Sequence, residues 1–151
     1  MDGRLFLCTA RFLQNNGVDE AAYRSAISRA YYACFIAVRD LVFRVCSPEY
    51  RRKAGIKDER GIGHKPLREY YLKNGTTESV KRLRDDLKSL YTSRIDADYN
   101  MRQTITKDDA QYAIEEAELV LQSLSMVSEK EIETAVNNYF QAIYPDQEQE
   151  Q

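Results

Sequence analysis

Apolar residues recur along this chain at intervals of three and four and almost nowhere at two, which predicts helices and no sheet. A first helix is predicted from about Arg4 to Asn16, with Leu5, Cys8, Phe12 and Leu13 facing inward and Gly17 as a left-handed stop. The second, about Asp19 to Val45, is the longest. Along it Tyr23, Ile27, Ala30, Cys34, Ala37 and Leu41 follow one another at four, three, four, three and four, a heptad-like seam. Alanines at 22, 26, 30, 33 and 37 keep its surface low, so a neighbouring backbone can come close.

Residues 46–63 carry Ser47-Pro48, Gly55, Gly61 and Gly63 among charges and read as a long mobile loop. A short helix follows from about Lys65 to Lys73, with Pro66 in its first turn and Asn74-Gly75 ending it. From near Thr77, Val80, Leu83, Leu87 and Leu90 define another helix. Thr106-Lys107-Asp108-Asp109 reads as an N-cap followed by acids at the positive helix end, continued by Ala113, Ala117, Val120, Leu124 and Val127. Ser128-Glu129-Lys130-Glu131 reads as a capping box opening a last helix with Ile132, Val136, Tyr139 and Ile143 inward. The expectation is an all-α, up-and-down bundle of five to six helices.

At 151 residues, 43% hydrophobic and 30% charged, the chain is long enough for one well-filled core. A single domain over 1–145 is expected, with 146–151 a disordered acidic tail. Cys8, Cys34 and Cys46 form no CxxC pair, so reduced thiols are expected, two of them core filler, with no metal site and no cofactor. The start Met1-Asp2-Gly3-Arg4 has no long apolar run and later apolar stretches are interrupted, so neither a signal peptide nor a membrane span is expected, and the cytoplasm is the expected location. The formal charge of −2 excludes a global attraction to polyanions. Locally the picture changes: residues 50–84 hold 11 Lys/Arg against 4 Asp/Glu, and residues 107–151 hold 2 against 11. The basic middle segment, with Arg51, Arg52, Lys53, Arg60 and Lys65, can meet phosphates, and Tyr50, Tyr70 and Tyr71 within it can stack on bases or fill a core. The acidic C-terminal helices would repel nucleic acid or meet a basic partner.

One position breaks the apolar rhythm. Extending Val80, Leu83, Leu87, Leu90 by the same alternation lands on Arg94 and then Ala97. A guanidinium there needs a carboxylate, a cleft or a subunit interface, and Asp98, one turn on, is the nearest acid. On the second helix Ser25, Arg29, Tyr32, Ile36 and Arg39 line a mixed face. Two readings stand for Arg29: a salt bridge to Asp96 or Asp98, or a phosphate held jointly with Arg94.

The run Ser28-Arg29-Ala30-Tyr31-Tyr32-Ala33-Cys34-Phe35, followed later by Arg94-Ile95-Asp96-Ala97-Asp98-Tyr99, resembles the HEPN domain family, the second segment a variant of one prokaryotic branch. The resemblance implies a HEPN-like helical bundle that forms homodimers. It also implies a toxin role opposite a minimal nucleotidyltransferase antitoxin, with metal-independent endoribonuclease activity in many members. In those nucleases an arginine stands a few residues ahead of a histidine. Arg94 matches the arginine, but Tyr99, Asn100 and Met101 stand where the histidine would be, and the only histidine is His64.

Cleavage through a ribose hydroxyl needs a group that exchanges protons near neutral pH, which a phenol, an amide and a thioether do not do. With the resemblance, the candidate catalytic set is Arg94 and Tyr99 of the matching segment, Asp98 beside them and, from the loop, His64 as the one imidazole; the candidate RNA- or nucleotide-binding set is Arg29, Tyr32, Ser28, Arg51, Arg52, Lys53, Arg60 and Lys65. The competing expectation is a non-catalytic helical module that docks a nucleotidyltransferase, with Arg29, Arg94 and Asp98 as a structural ion-pair network.

Overall fold

The computed structural model describes residues 2–145; the expected acidic tail, 146–151, lies outside them. Five long helices form, α1 (Gly3–Asn16), α2 (Glu20–Val45), α5 (Glu78–Tyr99), α6 (Lys107–Met126) and α7 (Glu129–Ile143). Between α2 and α5 lie α3 (Pro48–Lys53), a 3-10 turn (Glu59–Gly61) and a single turn α4 (His64–Pro66) that runs into a π-helical turn (Leu67–Tyr71). No strand occurs among the described residues, as the periodicity predicts. The chain divides into two compact units, one of Met1–Val38 with Asp85–Met126, the other of Arg39–Arg84 with Val127–Gln151.

In the first unit the small residues of α2 do what their size allows. Gly3, at the start of α1, lies so near α2 that a Cβ on it would come within 2.5 Å of the Ala33 carbonyl oxygen. Ala26, Ala30, Ala33 and Cys34 are fully buried, and Tyr31 is almost so. Ala97, Ile105, Ala110 and Ala113 close on Ala26 and Ile27, with Leu13 and Tyr23 packed against them.

The inner side of α1 is not the expected one. Leu7, Ala10 and Gln14 are buried, whereas Leu5 and Phe12 are 60% and 65% exposed and Cys8 is exposed. Both sides of this helix are apolar, so spacing alone could not choose, and the smaller side fits the close approach at Gly3. Gly17 is not left-handed either: its φ is −70°. A side chain there would run into Ala22 and the Leu13 carbonyl, so crowding rather than backbone sign accounts for the glycine.

The second unit corrects the loop expectation. Ser47 accepts the Tyr50 amide and Pro48 takes the first helical position, a start signal that builds α3 inside the supposed loop. Gly55, at φ 71°, follows α3, and Ile56 and Ile62 are buried. Phe140 of α7 gathers an aromatic cluster, stacked on Tyr50 with centroids 5.4 Å apart and meeting Tyr71 at 5.4 Å and Tyr139 at 5.2 Å. Burial pushes the Tyr71 phenol up to about 12. The capping box at Ser128 and Glu131 is present, but Ile143, expected inward, is 47% exposed at the end of α7.

Two thiols are core filler as expected, Cys34 and Cys46, with burial raising both, Cys46 to about 11. Glu116 of α6 is less comfortable. Burial, partly offset by a hydrogen bond from Ser89 and reinforced by the charge of Asp86, holds its carboxyl above the usual range, and its Oε2 is buried without a hydrogen bond. The folded chain therefore binds a proton here more readily than the unfolded one. Stability from this site rises as pH falls from above the raised folded value towards the ordinary carboxylate range, and the penalty is full above it. Glu116→Gln should raise the melting temperature at pH 8 and gain progressively less as the pH is lowered to 5; an equal gain at both would show that ionisation is not the cause.

Candidate functional site

Arg94 is carried by α5 in the first unit and its side chain is only 15% exposed. Its charge is met within one turn: Nε lies 2.7 Å from Oδ2 of Asp98. The N–H points off that oxygen, so the contact is an ion pair without an aligned hydrogen bond. Ser28 of α2 donates to the same Oδ2 at 3.3 Å. Arg94 also donates to the Tyr32 hydroxyl at 3.4 Å, and its guanidinium carbon lies 5.6 Å from the Tyr32 ring centre and 5.3 Å from that of Tyr99. Burial alone would lower its pKa; the neighbouring Tyr32, Asp98 and Tyr99 outweigh it, so the group is held above its ordinary value and stays charged.

Five of the six residues expected around Arg94, namely Arg94 itself, Asp98, Tyr99, Ser28 and Tyr32, meet; Arg29 does not. Arg29 is exposed and makes no ion pair among the described residues; it lies over the Phe6 ring of α1 at 5.8 Å. Neither Asp96 nor Asp98 is its partner, because it stands on the outer side of α2. Phe6 in turn lies 6.1 Å from Tyr32, so an aromatic from α1 joins the group. Tyr99 is 66% exposed and borders an open depression of about 490 Å³ lined by Ile95, Asn100, Met101 and Arg102. The surface therefore presents aromatic faces interleaved with guanidinium groups.

The remaining expected residues belong to the second unit. Arg51 lies over the Phe43 ring at 4.4 Å, Lys53 pairs with Glu49 at 2.9 Å and Arg60 with Asp58 at 2.6 Å. Arg52 and Lys65 are exposed, and His64 opens α4. Tyr50 and Tyr71 are held in the cluster around Phe140, the core reading of those tyrosines, while Tyr70 stacks on Tyr139 and is 36% exposed. No group of three or more His, Cys, Asp or Glu among the described residues could hold a metal ion.

Sequence reasoning missed Arg24 and Glu20. The Arg24 guanidinium reaches past its own helix to the end of α5, donating to the carbonyls of Asp96 at 3.2 Å, Ala97 at 2.8 Å and Asn100 at 3.2 Å, and to that of Gln103. Carbonyls at a helix C-terminus have no partner within the helix and carry its negative end, so a cation is the complementary cap. Glu20 holds Arg24 at 2.6 Å and accepts the Ile105 amide at 3.1 Å. The hydrogen bond from Arg24, then that from Ile105, keeps the Glu20 carboxyl below its usual range. The two side chains fasten the turn that follows Tyr99. Glu20 four residues before Arg24 is legible as a helix pair, but its distant targets are not.

A family model for the HEPN domain matches residues 3–130. The chain belongs to the HEPN domain family, whose helical-bundle class the observed helices share, and that membership points to an RNA-binding or nuclease-like module. No curated protein and no solved structure matches it. No described helix is long and apolar enough to cross a membrane.

Replacing Arg24 by Ala should lower the melting temperature by about 5 °C or more, since several carbonyl acceptors lose a charged donor together. Hydrogen exchange should locate the damage: amides of residues 99–105 exchange faster while those of α7 do not. Uniform acceleration across the chain would show that Arg24 is not a local clamp.

Proposed function

We propose that this protein binds single-stranded RNA through the Arg94 cluster of its first unit. The observation that carries the reading is a permanently charged guanidinium set between the rings of Tyr32 and Tyr99, with Tyr99 66% exposed. Arg29 over Phe6 extends the surface. Bases stack on aromatic faces regardless of sequence, and guanidinium groups add planar donors for phosphate, so a strand can be followed along such a surface. Arg52 and Lys65, exposed in the second unit, are cations of the basic segment that can meet phosphate on their own. A toxin role opposite a minimal nucleotidyltransferase and homodimerisation belong to the same proposal and rest on the family; a single domain over 1–145 and cytoplasmic residence belong to it too and rest on the length, composition and patterning of the chain.

Cleavage is a separate step. Asp98 is the carboxylate that faces Arg94, and it is already engaged by Arg94 and Ser28, so the cluster supports binding and charge stabilisation better than proton transfer. Metal-independent cutting would need a group that exchanges protons near neutral pH, and His64 carries the chain's one imidazole.

The same ion pair favours a second reading, a non-catalytic module in which Ser28, Asp98 and Arg94 hold α2 against α5. Arg94→Lys separates the two. It keeps a cation for Asp98 but loses the planar face between the rings. On the RNA reading, Arg94→Lys and Tyr99→Ala each weaken binding of a labelled single-stranded oligonucleotide about tenfold while melting stays near wild type. On the structural reading the wild type binds no RNA and Arg94→Ala melts several degrees lower. Variants that bind like wild type would end the assignment of this cluster. Labelled RNA incubated with chelator beside Arg94→Ala and His64→Ala decides cleavage: products that persist in both variants would remove both residues from the chemistry.

A further inference from the structure

Two helices of the first unit carry apolar side chains on the side turned away from their own core. Along α6, Asp108, Tyr112, Glu115, Leu119, Gln122 and Met126 succeed one another at four, three, four, three and four, the rhythm of the buried seam of α2, and all six are exposed. Tyr112, Leu119 and Met126 are 69%, 61% and 81% exposed. On the adjoining α1, Leu5 and Phe12 are likewise seven residues apart and exposed, and Arg11 pairs with Glu118 of α6 at 2.5 Å. Single exposed apolar residues are ordinary. A row of them at heptad spacing on two neighbouring helices is the pattern by which one helix receives another.

Charge selects the partner. From Asp108 to Met126, α6 holds five acids and no Lys or Arg. Asp108 and Glu115 stand within the stripe, and among the described residues no cation pairs with either; Glu115 accepts only from Gln111, at 2.8 Å. A second copy laid on this stripe about a two-fold axis would bring both sets of acids into one interface, with no Lys or Arg from Asp108 to Met126 of either helix to answer them. Nucleic acid and anionic lipid are repelled for the same reason. A helix with an apolar stripe flanked by Lys or Arg satisfies both requirements.

We propose that the outward seam of α6, with the Leu5–Phe12 ridge of α1 beside it, is the docking face for a basic amphipathic helix of a protein partner. This face stands whether or not the Arg94 cluster binds RNA, since the two share no residue.

The test uses the full chain and a fluorescent synthetic peptide about three heptads long, with leucines at the core positions and lysines flanking them. Two control peptides go beside it, a scrambled isomer and a version with glutamate for lysine. Anisotropy at physiological salt should show binding of the basic amphipathic peptide, with both controls weaker by about tenfold or more. Leu119→Lys and Glu115→Lys, both on the surface and checked by circular dichroism, should each weaken it by about tenfold.

Equal binding of the scrambled isomer would reduce the effect to charge alone and overturn the proposal, as would unaltered binding in both variants or no binding at all. Self-association on gel filtration that Leu119→Lys abolishes would assign the face to a second copy instead.

Discussion

A guanidinium in line with the apolar seam of a helix is sustainable only when its charge is answered on the spot. Arg94 follows Val80, Leu83, Leu87 and Leu90 in register, yet Asp98 lies one turn further, Ser28 steadies that carboxylate and two tyrosine rings flank the cation. Removing any one of these would leave a poorly solvated charge or acceptor. The first part of α2 is therefore tied to the end of α5 by polar contacts as well as by its alanines. That junction is also where aromatic and guanidinium groups interleave at the surface of the first unit.

The end of α5 is held by a second guanidinium of different purpose. Arg94 is placed among side chains, whereas Arg24 is spent on backbone carbonyls, and this division explains how two arginines of one small region avoid competing for the same acid. Glu20 completes the arrangement by reaching both Arg24 and the Ile105 amide. The exposed ring of Tyr99 is thus mounted on a helix end whose unsatisfied groups are already occupied. A binding face gains from such support because less order has to be imposed when a ligand arrives.

Much of this was legible from residue spacing. The seams of α2 and α5, the capping box at Ser128 and the anomaly at Arg94 are local patterns with periods close to that of the helix. Asp98 as partner to Arg94 is also local, four residues away. Where the structure departs from the spacing, the deciding contact is distant in sequence. On α1 both sides are apolar, and the choice between Leu7 and Leu5 was made by how close α2 could come at Gly3. In α3, Ser47-Pro48 among glycines and charges suits a loop as well as a helix start, and the stacking of Tyr50 on Phe140 favours the helix. Arg29 and Arg24 are both arginines on α2, and nothing in their spacing says which of them meets α5.

What the chain determines by itself is helix content, helix ends and which positions must not face water, because hydrogen bonding within a helix and capping act over a few residues. Which arginine becomes a cap, which an ion pair and which stays on the surface was decided only in three dimensions. Glu20, Asp96 to Gln103, and Phe6 come from three helices and a turn, and their distances from Arg24 and Arg29 depend on how those helices pack. A side chain's partner is set by proximity in space, and sequence separation carries no information about that once it exceeds a turn or two.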